Sequence, residues 1–370
     1  MRVLSLFDGI SGAAQALKEL GFEFQYYSSE VDKYAIQIAK QNHNIFPLGD
    51  VKNLFKYHHF HDDKYKSFYN MRRGDIDLLI GGSPCQDLSI AKRDRQGLQG
   101  ERSGLFYEYV RILNEAKPKY FILENVASMS KTSRDIISQE LGVEPVLINS
   151  ALLTAQQRKR YYWVGKLVDG KYQQVKVEQP EDQKIYLKDI VESGVVDRDK
   201  SYCIDANYFK GGNLKSYFEK GRRQLVFDEP VRVAHLNKGG QGDRIYATNA
   251  KSVTLSALGG GRGAKTGLYA VAQRGRYVEG GGTEQRFETS FNEKANSLTR
   301  VQKDSLLLET DIENYVIRKL TVNECCRLQG FPDGYCDSVS KTQGYKALGN
   351  SFTVPVIKHL IQSCNGKRAN

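Results

Sequence analysis

Short apolar runs alternate with amphipathic stretches through the first 165 residues or so, the pattern of a parallel sheet flanked by helices. Residues 3–7 read as a buried strand that ends in a glycine-containing turn, and 12–20 as the helix after it. A strand over 22–28, ending near Glu30, and a helix over 34–41 follow. Residues 76–80 are apolar and stop at Gly81-Gly82-Ser83-Pro84-Cys85, and 120–123 stop at Glu124-Asn125. The chemically capable side chains thus fall just past the carboxyl ends of strands, where open parallel sheets collect their ligands.

Beyond about Gly165 the texture becomes charged, tyrosine-rich and glycine-rich, with Gly211-Gly212, Gly239-Gly240, Gly259-Gly260-Gly261 and Gly280-Gly281-Gly282. Regular helices are not expected there, because glycine disfavours them. The stretch from Gly239 to Thr254 resembles that from Gly280 to Thr299, suggesting a duplicated strand-loop-strand unit in a second, β-rich domain. After about Val316 the helical pattern returns. Thr321 and Glu324 form a capping-box pair, Gly330-Phe331-Pro332-Asp333-Gly334 stops that helix, and 351–361 read as another helix returning to the first domain. The expected division is therefore an α/β domain over 1–168, a smaller β-rich domain over 169–316 and a helical return to the first domain over 317–370.

Charge and composition narrow the partners. Lysine and arginine total 54 against 43 acidic residues, a formal charge of +11, which favours an anionic partner. The chain begins with a strand-like run instead of a secretory leader, and no apolar run approaches the roughly 20 residues of a membrane span. Six cysteines without paired C-x-x-C spacing fit a reduced, cytoplasmic protein better than a disulfide scaffold. His58, His59, His61, Asp62 and Asp63 cluster in a stretch full of lysine and tyrosine; a solvated loop is expected and no metal site.

Phe7-Asp8-Gly9-Ile10-Ser11-Gly12, between a strand and a helix, would let the backbone approach a nucleotide-like ligand. It lacks the full G-x-G-x-x-G spacing, and Asp8 would repel a pyrophosphate but not a cationic sulfonium. That counts against a nicotinamide oxidoreductase. Glu30 is placed to accept from ribose hydroxyls, and Asp50, after the third strand, from an adenine amino group. Cys85 sits in a loop at the sheet's carboxyl edge, made rigid by Pro84, as aim at a ring carbon requires. Glu124 at the next strand end supplies an acid. Arg158 and Arg160 alternate along a strand-like segment, so both should project to one face.

Together, Phe7-Asp8-Gly9, Pro84-Cys85-Gln86, Glu124-Asn125-Val126, Gln156-x-Arg158-x-Arg160, the run from Arg327 to Pro332, and Gly349-Asn350-Ser351 resemble, in order, the blocks of the DNA cytosine-5 methyltransferases of bacterial and phage modification type. The resemblance spans nearly the whole chain. It implies a Rossmann-like, mostly parallel α/β sheet with a smaller β-rich target recognition domain, S-adenosylmethionine as cofactor and double-stranded DNA as partner. It leaves room for a cognate restriction endonuclease and requires no other protein partner and no membrane. Cys85 would add to C6 of a flipped-out cytosine, Glu124 would act at N3, and Arg158 and Arg160 would hold the base's O2 and the carboxylate.

The cofactor pocket implied is Phe7, Asp8, Gly9, Ile10, Gly12, Glu30, Val31, Asp50, Val51, Pro84, Leu105, Asn350 and Ser351. Ser11, where many members have glycine, and Val31, where some have an aromatic, depart from the family pattern. Gln86, Ser89, Lys92, Arg93, Arg95 and Gln96, in a cationic loop after Cys85, are the expected DNA contacts. An RNA cytosine methyltransferase and a non-catalytic DNA-binding module are the competing readings.

Overall fold

A computed structural model describes residues 1–55, 74–83, 105–212, 214–227, 232–235, 244–246, 268–269, 272–278, 282–288 and 317–366. The chain opens β1 (Arg2–Leu6), α1 (Gly12–Glu19), β2 (Gln25–Ser29), α2 (Lys33–Asn42), β3 (Ile45–Pro47), β4 (Leu78–Gly82), α3 (Leu105–Ala116), β5 (Tyr120–Val126) and α4 (Lys131–Leu141). The antiparallel strands β6 (Pro145–Asn149), β7 (Lys159–Val168) and β8 (Lys171–Gln174) follow. One eight-stranded sheet results, in the order β3-β2-β1-β4-β5-β7-β6 with β8 paired to β7. Strands β1 to β5 run parallel, and β7 is antiparallel to its neighbours.

Two-residue periodicity sorts side chains to opposite faces of the sheet. Val3, Leu78, Ile80 and Ile122 join a core with α1 and α2. Leu4, Leu6, Leu79, Phe121 and Leu123 join a second core with α3 and α4. Central strands sandwiched in this way are buried on both sides, which explains their near-continuous apolar runs.

The structure departs from the sequence expectation at two strand ends. Gly81 and Gly82 belong to β4, not to the turn after it. A Cβ at Gly81 would lie 3.0 Å from the Leu6 carbonyl oxygen and from the Tyr109 ring, so packing selects glycine within the strand. β5 likewise continues through Glu124, Asn125 and Val126, because β7 pairs with it as far as Val126↔Arg160.

The region from 169 to 316 is mainly strand where it is described. After α5 (Leu214–Lys220) come β9 (Leu225–Phe227), β10 (Arg232–His235), β11 (Arg244–Tyr246), β12 (Leu268–Tyr269), β13 (Ala272–Val278) and β14 (Gly282–Glu288). β10, β11 and β12 form one small sheet, and β13 and β14 an antiparallel pair. Helix α5 corrects the expectation of no regular helix here: Tyr217 anchors it against Leu225 and Phe227, and tertiary burial overrides the glycine-rich surroundings. The start of the region belongs to the main body, since β8 extends the main sheet and Leu187, Ile190, Ile204 and Tyr208 join the first core.

β15 (Ile317–Lys319) pairs with β9 and leads into α6 (Val322–Gln329), α7 (Lys341–Asn350) and α8 (Val354–Cys364). The Thr321–Glu324 capping box forms, and Gly330 ends α6 in the left-handed conformation. Helix α7 has no forerunner in the sequence pattern. Its glycines are contact residues: a Cβ at Gly344 would crowd Val322, and one at Gly349 would overlap the Asp205 backbone. Helix α8, which begins three residues later than expected, packs on α1, with Lys358 paired to Glu19 at 2.9 Å. Among the described residues no helix is long and apolar enough to cross a membrane.

Candidate active site

β1 lies between β2 and β4, so the chain leaves it towards one edge and returns on its other side. Crevices outside the carboxyl ends of strands at such a reversal are the usual ligand sites of open sheets. Leu6 and Gly81 pair there, bringing the turn after β1 beside the end of β4.

The first turn is tightly shaped. Phe7, Gly9 and Ser11 have φ of 56°, 59° and 59°, the left-handed region. The Gly9 amide donates to Glu30 Oε2 at 2.8 Å, while Glu30 Oε1 accepts from the amides of Val31 at 2.7 Å and Asp32 at 2.8 Å. Glu30 therefore ties the turn to the start of α2. Beside it, Val31 is 70% exposed, and open space lies where a Gly9 Cβ would stand. Asp50 accepts from the Lys52 amide at 2.9 Å and caps the short 3-10 turn containing buried Val51. Leu105, half-buried, begins α3.

Three residues of the expected pocket have other tasks. Asp8 is buried, with Tyr26 donating to Oδ1 and Ser11 and Ser28 donating to Oδ2. Gly12 is a packing position: its Cβ would stand 3.3 Å from both Phe331 and Phe352. Ile10 is fully buried, and its carbonyl accepts from Tyr335 at 2.8 Å.

Phe352 also lies against Gly82, where a Cβ would be 3.1 Å from its ring, so one side chain spans the backs of the β1 turn and the β4 end. It follows Ser351 and Asn350 directly. Asn350 is exposed and Ser351 buried, its hydroxyl donating to the Leu348 carbonyl at 2.8 Å. Arg158 holds this segment. Its guanidinium donates to the carbonyls of Ser351 at 2.9 Å, Gly349 at 3.4 Å and Ile204 at 3.1 Å. Gln156 adds bonds to the Leu328 carbonyl and the Gln329 side chain, and Gln329 accepts from Thr353.

Glu124 and Arg160 meet near the end of β5, with Arg160 Nε 3.1 Å from Glu124 Oε1. Burial pushes the Glu124 carboxyl above the usual carboxylate range, and Arg160 and Arg158 pull it partly back. On β4, Gly82 pairs with Glu124, and the next residue, Ser83, accepts from Asn125 Nδ2 at 3.1 Å. Pro84, Cys85, Gln86, Ser89, Lys92, Arg93, Arg95 and Gln96 lie outside the described residues, as does the 58–63 histidine-aspartate cluster.

Residues 1–366 match the family described as C-5 cytosine-specific DNA methylase. The chain belongs to this family. It is 27% identical to the type II methyltransferase M.HhaI of Haemophilus parahaemolyticus, over 97% of this chain and 93% of that protein. Identity to the type II methyltransferase M.HpaII of Haemophilus parainfluenzae is 28%, covering 96% and 86%. The orphan methyltransferase M.SPRI of Bacillus phage SPR is 25% identical, covering 98% and 97%. Among solved structures, the Entamoeba histolytica methyltransferase EhMeth superposes with a TM-score of 0.56 at 16% identity, covering 99% and 98% of the two chains. That agreement is one of fold. As a member of the family the chain is a DNA (cytosine-5-)-methyltransferase.

The structure thus brings Glu124 and Arg160 together, gathers Phe7, Gly9, Glu30 and Val31 at the first turn, and commits the Arg158 guanidinium to backbone carbonyls. Tyr26, Ser28, Tyr335 and Phe352 shape the site without having stood out in the sequence. Only the proximity of Phe352 to the Gly349-Asn350-Ser351 block signalled it. The hydroxyls on β2 gave no sign, because their partner, Asp8, lies 18 and 20 residues earlier in the chain, on the far side of α1.

Proposed function

We propose that the enzyme methylates C5 of a flipped-out cytosine within a specific double-stranded DNA sequence, using S-adenosylmethionine and a transient bond between Cys85 and the base's C6. The observation that carries this is the buried Glu124–Arg160 pair beside the backbone of Gly82 and Ser83.

The chemistry follows from the two groups. Cys85 thiolate adds to C6, and the electron pair released from the C5–C6 bond moves into the ring towards N3 and O2. Glu124, its carboxyl raised by burial, gives a proton at N3, so C5 becomes enamine-like and nucleophilic. Arg160 holds the Glu124 carboxylate and stabilises it once the proton has left. After transfer, loss of the C5 proton to a base, for which water suffices, expels the thiolate and restores Glu124.

The residues at the first turn fit an adenosine-containing cofactor: Glu30 offers carboxylate oxygens at the end of β2, Gly9 leaves open space, and Val31 presents an exposed apolar face. Phe7, Gly9, Glu30, Val31, Asp50, Leu105 and Asn350 would hold it. S-adenosylmethionine, when bound, supplies the electrophilic methyl group.

The β-rich part of the 169–316 region would read base edges in the major groove, and Lys92, Arg93 and Arg95 would meet phosphates. Action in the cytoplasm of a bacterial cell or phage-infected host, with or without a cognate endonuclease, fits this role. DNA carrying 5-fluorocytosine tests the reading, since elimination is blocked and the enzyme stays covalently attached. Wild type should be trapped and Cys85→Ser should not. Trapping on transfer RNA in place of duplex DNA would favour an RNA substrate.

A further inference from the structure

The turn between β1 and α1 places two non-glycine residues, Phe7 and Ser11, at positive φ within five positions. Such backbone is strained for residues other than glycine and persists only where its surroundings hold it. The Ser11 side chain does not cap α1; its hydroxyl turns back to Asp8. From β2, Tyr26 and Ser28 stand two residues apart on one face and deliver their hydroxyls to the same carboxylate, Tyr26 at 2.6 Å and Ser28 at 2.7 Å. The Asp8 amide is bonded to the Ser29 carbonyl, and the Ser11 amide to the Asp8 carbonyl. With 3% of its surface exposed, Asp8 has both carboxylate oxygens facing inward to protein hydroxyls.

We infer that Asp8 is a positioning residue, not a cofactor contact: from beneath the turn, its hydroxyl-fed carboxylate fixes the left-handed backbone whose outer side, through Gly9 and Glu30, receives the cofactor. This rests on the cofactor reading above. Burial raises the Asp8 carboxyl while the hydroxyls of Ser11, Tyr26 and Ser28 draw it down, as expected of a carboxylate served by hydroxyls with no cation among those partners. A carboxylate that touched the cofactor would distinguish the cationic sulfonium of S-adenosylmethionine from neutral S-adenosylhomocysteine. One that only shapes the turn would not.

Isothermal titration of wild type, Asp8→Asn, Tyr26→Phe and Ser28→Ala with each of the two compounds separates these roles. Asp8→Asn should weaken both by the same factor, about tenfold, because an amide cannot accept from hydroxyls at both of its ends as the carboxylate does. At saturating cofactor its kcat should stay within about twofold of wild type, as removal of uniform binding requires. Tyr26→Phe and Ser28→Ala, which leave the turn's own sequence intact, should show smaller losses in the same ratio, which keeps the test alive if Asp8→Asn does not fold. Amide exchange at Gly9 in cofactor-free protein should speed up in all three variants. Unchanged affinity with unchanged exchange overturns the inference, as does a loss confined to S-adenosylmethionine. Wild type that binds neither compound sinks the cofactor reading instead, while exchange at Gly9 still decides whether Asp8 holds the turn.

Discussion

Arg160 Nε stands 3.1 Å from a Glu124 carboxylate oxygen, with both side chains largely out of water. Burial raises the Glu124 carboxyl and the guanidinium opposes that rise. Removing Arg160 should therefore raise the carboxyl further. If methyl transfer needs Glu124 protonated, the alkaline limb of the pH–rate profile moves to higher pH in Arg160→Ala, while the rate on its plateau falls because the carboxylate is no longer aimed. Glu124→Gln loses the proton altogether and should cost about 10²–10⁴-fold in single-turnover rate. An alkaline limb that moves to lower pH in Arg160→Ala would refute the assignment.

The Arg158 guanidinium, bonded to the carbonyls of Ile204, Gly349 and Ser351, joins the chain just before β7 to the junction of α7 and α8 and to the backbone at Ile204. Arg158→Ala leaves these buried acceptors without their donor and should cost about 3–5 kcal/mol, read by urea unfolding. Lysine has one ammonium where the guanidinium fans its donors across three carbonyls, so Arg158→Lys should recover little of the loss. A near-neutral Arg158→Ala would mean these bonds contribute nothing net.

Much of this was legible in the sequence, for identifiable reasons. The strands showed because central parallel strands are continuous apolar runs, and the start of α6 showed because Thr321 and Glu324 carry a local capping signal. What stayed hidden depends on contacts between distant segments. Gly12 looks like a ligand-approach glycine and Gly82 like part of a turn, yet both make room for Phe352, 340 and 270 residues further along the chain. Arg158 and Arg160 have the right spacing to share a face, but backbone carbonyls from two distant segments claim Arg158, leaving Arg160 as the hydrogen-bonding partner of Glu124. The helix over 341–350 was masked by glycines that packing requires.

At Gly349, in the last turn of α7, an added Cβ would overlap the backbone of Asp205. Backbone cannot rotate away as a flexible side chain would, so Gly349→Ala should displace the carbonyl that Arg158 holds. Destabilisation of about 1–3 kcal/mol, the overpacking range, is expected on thermal or urea unfolding. At Gly12 the nearest atoms, in Phe331 and Phe352, are 3.3 Å away and belong to side chains, so Gly12→Ala should cost less. The reverse order of the two costs would contradict this account.

His43 bonds through Nε2 to the Tyr335 hydroxyl at 2.9 Å, and Tyr335 gives its one proton to the Ile10 carbonyl, so the imidazole is the donor at Nε2. Burial, with Lys18 nearby, lowers its pKa from 6.5 to about 4. Between those values the unfolded chain takes up a proton on His43 that the folded protein refuses, so folding stability must rise with pH across the window from about 4 to 6.5 and be fully present above it. His43→Gln keeps an N–H donor and cannot titrate, so its stability should depend less steeply on pH there. Carboxylates titrate in both proteins, and the difference between the two curves isolates the histidine. Urea unfolding at several pH values between 4 and 7 measures that difference; parallel curves for wild type and His43→Gln would show that His43 titrates alike folded and unfolded.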